Sequence, residues 1–380
     1  MKKISLFMGL AAALLLVGGG CSKYNDPSTG DTSGSVPEEE TAQQEKIKIG
    51  VMIPLTGDAA SYGESVKKGI ELAKKQFKAE NVQLVYEDSK CDGTQSVSAI
   101  NKLISVDKVV AIIGELCSDA TLPAAPIAEQ NKVVMISPAS TAPNLTQAGD
   151  YIFRTVPSDA SQGAFGAKLV AAKGYTKLAV LYVNNDYGVG FNDVLKKEFP
   201  KMGVDTEVVA SEAVEKQAVD VKAQLTKIKG AKPDALYIIS NSPETAVAAL
   251  KQAKELGLNV ALFGAEGLKN DDITKGAESA AEGLIVSSVS TGSTGFVQAH
   301  NSSYSENPGP FSAQAYDAFQ ALNTAISNGA KTGEEIKNNL NGMSFQGVSG
   351  MIEFNKDGDV SGNYSVFVVK DGKFVAEETK

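Results

Sequence analysis

The stretch Ile112–Thr146, IIGELCSDATLPAAPIAEQNKVVMISPASTAPNLT, decides the fold. An apolar run, Val109 to Ile113, reads as a buried strand that ends in a turn carrying Cys117, Ser118 and Asp119. A short helix through Ala125 to Gln130 follows, then a second apolar strand, Val133 to Ile136, and a turn of small residues, Ser137-Pro138-Ala139-Ser140-Thr141. Two strands of the parallel type, each ending in hydroxyls and free backbone N–H groups beside a helix start, build an anion-binding edge at the carboxyl ends of a sheet. Such an edge suits the carboxylate of a small ligand.

Outward from that stretch the chain alternates strand and helix. Towards the N-terminus lie a strand at Ile47–Pro54, a helix whose Val66, Ile70, Ala73 and Phe77 share one face, a strand at Gln83–Glu87 and a helix at Thr94–Val106. After Tyr151–Val156 the series restarts: helix 160–173, strand 178–183, helix 190–199, strand 206–209, helix 219–228, strand 235–239, helix 245–256, and strands at 260–264 and 283–288. Repeated βαβ units imply parallel sheets covered on both faces, and two series imply two similar doubly wound α/β lobes. The tail differs, with helices at 313–327 and 333–340. Strand-like runs at Gly350–Phe354 and Tyr364–Val369 about Asn355-Lys356-Asp357-Gly358 then read as an antiparallel hairpin. A chain that returns to helix and hairpin after two complete series crosses between the lobes more than once, which makes a hinge.

The ends of the chain speak of export. Lys2 and Lys3 precede the apolar run Leu6–Val17, too short to span a bilayer, and Gly18-Gly19-Gly20 leads into Cys21. That is a signal peptide, residues 1–20, and a Cys directly after small residues resembles a bacterial lipobox in which Cys21 carries lipid. Gly18 stands where that motif usually has Leu or Val. Residues 21–45 are rich in Ser, Thr, Gly, Asp and Glu without periodicity, and read as a disordered tether holding the body off a membrane. The expected lobes are 46–157 with 289–344, and 158–288 with 345–380.

Charge and cysteine usage narrow the class. A net charge of −9 and the lack of any basic patch interleaved with aromatics argue against nucleic acid as a partner. Of three cysteines, Cys91 and Cys117 remain once Cys21 is assigned to the anchor. In an exported chain that pair points to a disulfide rather than a metal site, stabilising by about 3.5 kcal/mol on the chain-entropy account. The single histidine, His300, reads as a solvated surface residue, and no metal or cofactor is expected. There is no G-x-S-x-G elbow and no H-E-x-x-H, so an exported hydrolase is disfavoured. Gly188-Val189-Gly190 lacks the third glycine of a dinucleotide fingerprint and reads as a turn.

The succession CDGTQ, GELCS, ISPASTAP, NDYG and GAEG resembles the branched-chain amino acid (leucine/isoleucine/valine-type) binding proteins of bacterial ABC importers, which have the type I periplasmic binding fold. The resemblance runs from Ile47 to about Val375. It implies a non-enzymatic, monomeric receptor that takes an amino acid between its lobes and hands it to membrane permease subunits. It also implies site residues: Ser118 for the ligand carboxylate, and Ala139, Ser140 and Thr141 for a carbonyl to the ammonium and a hydroxyl and N–H to the carboxylate. Tyr187 reaches in from the second lobe and Glu266 pairs with the ammonium, while Tyr62 and Phe311 line the side-chain pocket. Asn241 stands where the family has an aromatic residue, so the resemblance does not imply strict Leu/Ile/Val preference. The chemistry agrees, because a zwitterion stripped of water needs donors at one end and a charged acceptor at the other. A sensory lipoprotein of the same fold, recognising an amide, nucleoside-like or aromatic acid ligand, is the alternative.

Overall fold

The computed structural model describes residues 46–377 apart from Asn363. The signal segment, Cys21 and the tether lie outside the described residues. The first series runs β1 (Ile47–Ile53), α1 (Ala60–Gln76), β2 (Val82–Asp88), α2 (Gly93–Ser105), β3 (Ala111–Gly114), α3 (Ser118–Gln130), β4 (Val134–Ser137) and β5 (Ile152–Arg154). These strands form one parallel sheet in the order β2-β1-β3-β4-β5. Strands β3 and β4 are buried at every position, as a parallel sheet covered on both faces requires.

The second series runs α4 (Asp159–Ala172), β6 (Lys177–Val183), α5 (Asp186–Glu198), β7 (Glu207–Val214), α6 (Lys222–Gly230), β8 (Ala235–Ile239) and α7 (Pro243–Glu255). It continues with β9 (Ala261–Gly264), α8 (Asp271–Ala277) and β10 (Ile285–Ser288). The chain then supplies α9 (Thr294–Tyr304), α10 (Ser312–Ser327), α11 (Gly333–Leu340), β11 (Ser344–Gln346), β12 (Met351–Glu353), β13 (Ser365–Lys370) and β14 (Lys373–Glu377). The second sheet has the order β14-β13-β10-β9-β8-β6-β7, parallel from β10 to β7 and antiparallel at β13 and β14.

Helix α10 returns from the far end of the sequence to pack on α1, so the cover of the first sheet is assembled from two distant segments. Their approach is close enough that a Cβ at Gly69 of α1 would collide with the carbonyl oxygen of Ser312. The chain passes between the sheets after β5, after β10 and again between β12 and β13. These three crossings form the hinge of a two-lobed α/β molecule.

Three sequence expectations are corrected. The hairpin about Asn355–Gly358 does not form. Instead β12 forms a hairpin with β11 about residues 347–350, and β13 pairs with β10 and forms a second hairpin with β14 about Asp371-Gly372. The Asn355–Gly358 turn docks on β5, where Arg154 N–H donates to Gly358 O (3.0 Å) and Arg154 Nε meets Asp359 Oδ1 (2.6 Å). Second, α9 was not expected, because Gly, Asn and Ser weaken its intrinsic propensity. It is held by Phe296, His300 and Tyr304, spaced four apart, whose rings pack in series at 5.9 and 4.9 Å. Third, His300 is therefore fully buried on that face rather than solvated, with Nδ1 3.0 Å from Glu306 O.

Candidate functional site

The opening stretch builds one wall of a cleft. Helix α3 starts at Ser118, seven residues earlier than the periodicity indicates, since Pro123 and Pro126 lie inside it and read as breakers. The Ser118 hydroxyl thus sits on the first turn, where its Oγ accepts the Ala142 N–H (3.1 Å). After β4, Ser137 Oγ accepts the N–H groups of Ala139 (3.3 Å) and Ser140 (2.9 Å), which curls the following turn. Ser137 and Ser140 both donate their hydroxyls to the carbonyl of Glu115, so the two turns are stitched together.

Glu115 itself is fully buried. Its carboxylate accepts the Ser89 hydroxyl (2.7 Å) and the Cys117 N–H, and burial pushes its carboxyl up to about 7. A disulfide joins Cys91 and Cys117 directly above it. Asp119 lies beside that bond, but both sulfurs are committed to it, so the cluster offers no thiolate to a metal.

The opposite wall comes from the second sheet. Asn185 caps α5 by accepting the Gly188 N–H (2.9 Å), which puts Tyr187 in the first helical turn. Glu266 occupies a single 3-10 turn directly after β9, and Asn241 follows β8, where its Oδ1 accepts from Asn185 Nδ2 (3.3 Å). Burial pushes the Glu266 carboxyl up to about 7, and burial with the nearby Glu266 charge raises the Tyr187 phenol well above its usual range.

Between the walls lies a small cleft. Of the expected site residues, Tyr62, Ser118, Ala139, Thr141, Tyr187, Asn241, Glu266 and Phe311 line it together. Ser140 does not, because its side chain turns away to Glu115 O and Thr121 Oγ1. Cys117, expected only as a disulfide partner, also lines it; sequence reasoning missed Leu116 and Gly267, which complete the lining, and it missed Glu115 and Asp159, two buried carboxylates behind it. Nothing in the residue pattern separates these acids from solvated ones, since Asp159 occupies a first-turn helix position that acids favour at surfaces.

The lobes are closed over the cleft. Tyr62 OH donates to Gly267 O (2.7 Å), Asn270 Nδ2 to Ser61 Oγ (3.2 Å), and Thr141 Oγ1 to Glu266 Oε1 (3.4 Å). At the rim Lys216 Nζ pairs with Asp119 (2.9 Å) and also reaches Cys91 O. Two hinged lobes shut around a small, largely apolar cleft with one buried carboxylate define a ligand-capturing binding protein.

The comparisons agree with that class. The chain belongs to the periplasmic binding protein family, whose signature matches residues 46–373. A leucine-, isoleucine-, valine-, threonine- and alanine-binding protein of Pseudomonas aeruginosa is 31% identical, over 83% of this chain and 87% of that protein. A leucine-binding protein from Thermotoga maritima superposes with a TM-score of 0.81 at 30% identity, covering 87% of this chain and 98% of that one. The isoleucine complex of a branched-chain amino acid transporter substrate-binding protein from Streptococcus pneumoniae gives 0.80 at 28% identity, covering 87% and 99%. As a member of that family the chain is an exported binding protein and not an enzyme. No helix among the described residues is long and apolar enough to cross a membrane.

Proposed function

We propose that this protein is the substrate-binding component of an ABC importer, and that it captures a small α-amino acid, branched-chain or related, by closing its lobes and delivers it to permease subunits. The observation that carries this reading is the polarity of the cleft. One buried carboxylate, Glu266, faces the hydroxyls of Thr141 and Ser118, and no Lys or Arg is among the lining residues. An ammonium has its counter-charge there, and a carboxylate has neutral donors from Ser118, Thr141 and the turn that follows β4.

Tyr62, Leu116 and Phe311 give the remaining wall an apolar character suited to an aliphatic side chain, and Asn241 adds one polar edge that admits a hydroxyl. A ligand touching both walls binds the closed form better than the open one and shifts the hinge equilibrium toward it. The lobes in this movement are 46–157 with 289–360, and 158–288 with 361–380, which shifts the expected second boundary from 344 to 360. Residues 345–360 are counted with the first lobe, because Ile352, Phe354 and Val360 pack in its core, with Phe354 edge-on to Phe153 at 5.4 Å. Lipid on Cys21 and the tether of residues 21–45 would keep a monomeric receptor beside its permease.

A thermal-shift screen of the purified protein against the twenty amino acids, simple aromatic acids and amides tests the reading. A ligand at 100 times its Kd adds about 2.7 kcal/mol to stability. Stabilisation by leucine, isoleucine or valine supports the reading. Stabilisation by an aromatic acid or an amide and by no amino acid favours the sensory alternative. Incorporation of labelled palmitate that is lost in Cys21→Ala supports the anchor.

A further inference from the structure

Behind Glu266 stands a second carboxylate that the reading above does not use. Asp159 opens α4 and is fully buried, and neither of its side-chain oxygens has a hydrogen-bond partner among the described residues. Glu266 Oε2 is likewise without a partner. The two acids converge on Thr141, whose carbonyl accepts the Asp159 N–H (2.8 Å) and whose hydroxyl donates to Glu266 Oε1 (3.4 Å).

Among the described residues that act on this pair, none supplies a free cation. Arg154 of β5 is the positive charge that acts on Asp159. Its Nε is taken by Asp359 (2.6 Å), its Nη1 by Thr141 O and Ala142 O, and its Nη2 by Thr146 Oγ1 (2.8 Å). Tyr187 of α5, Tyr237 of β8, Tyr364 before β13 and Tyr62 of α1 are the other titratable neighbours. Burial raises all four phenols, so none ionises near neutral pH. Gln162, one turn along α4 from Asp159, turns an unpartnered Oε1 into the same buried region.

Two adjacent buried carboxylates cannot both stay charged without two counter-charges. An α-amino acid brings one ammonium, and its own carboxylate is met by neutral hydroxyls and N–H groups. One negative charge therefore remains unmatched unless a proton takes its place. Resting on the amino-acid reading above, we propose that Asp159 is a further specificity-determining residue. With Glu266 it forms a paired site that holds one proton whenever the closed cleft holds an amino acid, so ligand capture takes up a proton from solvent.

The sign follows from linkage. Closure removes water from the pair and raises its affinity for protons, so the coupling is fully present below the open-form values and is lost as pH rises through the closed-form values. Burial and the Glu266 charge hold the Asp159 carboxyl well above the usual range, in the same direction. The pair also discriminates against simple carboxylates, which bring a negative charge and no ammonium.

The test is titration calorimetry of leucine binding to the wild type and Asp159→Asn, in buffers of different ionisation enthalpy, from about pH 5 to 8.5. The wild type takes up to one proton, and its Kd weakens by as much as about tenfold per pH unit on the alkaline side. Asp159→Asn shows no buffer-dependent heat and a flat profile. Infrared difference spectra, liganded minus free wild type, provide a readout that needs no variant and cancels buried acids away from the cleft such as Glu115, and they show a protonated carboxyl band gained with leucine. Leucine binding with no linked proton, or no such band, overturns the proposal while leaving the amino-acid reading intact. Failure of any amino acid to bind the wild type at any pH overturns both.

Discussion

Tyr62 of the first lobe donates its hydroxyl to the main-chain carbonyl of Gly267 in the second, 2.7 Å away and out of contact with water. The bond exists only when the lobes are shut, so its strength adds to the closed form alone. Tyr62→Phe removes it and keeps the ring that packs 6.3 Å from Phe311. A net loss of about 0.5–1.5 kcal/mol is expected, weakening ligand affinity roughly two- to tenfold with little change in melting temperature of the free protein. Calorimetry beside a thermal melt checks both parts.

Glu266→Ala takes away the one carboxylate among the described lining residues of the cleft. Orphaning a buried ligand ammonium costs about 2–5 kcal/mol, so the Kd for leucine rises by at least about 30-fold. Unchanged affinity in that variant would show that the ammonium is held elsewhere.

Gly69→Ala should destabilise without touching the cleft. The added methyl runs into the Ser312 carbonyl where α1 and α10 meet, and the backbone there has to give. Overpacking of this kind costs about 1–3 kcal/mol, read as a lower urea midpoint at unchanged slope.

Stability falls as pH rises through neutrality because of Glu115. Its folded-state carboxyl is pushed up to about 7 from an ordinary 4.5, so it favours the folded state when protonated. That contribution is complete below its unfolded value and is lost as pH climbs through about 7. Glu115→Gln flattens this part of the pH profile, measured as urea midpoints at pH 4, 6 and 8.

Breaking the Cys91–Cys117 bond by a double Ser substitution removes a covalent tie between the loop after β2 and the start of α3. A loss of about 2–5 kcal/mol is expected. Ligand affinity falls as well, since Ser118 is the next residue and Lys216 of the other lobe rests on Cys91 O. Reductant should reproduce both effects in the wild type.

Much of the architecture was legible because parallel strands buried on both faces leave unbroken apolar runs, and those runs fell at β1, β3, β4, β6 and β8. Elements held by tertiary contact rather than propensity were not legible. Helix α9 depends on an aromatic stripe, the seven-residue α8 on its Asn270 cap, and the partners of β12 and β13 on a turn that anchors to Arg154. At the site, residues that announce themselves by type at a strand end, such as Ser118, Thr141 and Glu266, could be placed from the resemblance. Glu115 and Asp159 could not, because burial of an acid is a property of what surrounds it. The direction of the Ser140 side chain was hidden for the same reason.

The three passages between the sheets also govern how the molecule can be taken apart. Because α10 covers the first sheet from position 312 onward, and β13 and β14 complete the second from position 365 onward, no single cut in the chain releases an intact lobe. The first sheet lacks its α10 cover, and the second its last two strands, until most of the polypeptide is present. Pairing that joins such distant segments is slow to form, so a chain of this kind stays unfinished through most of its synthesis. That is the condition in which a polypeptide can still be threaded across a membrane before it folds.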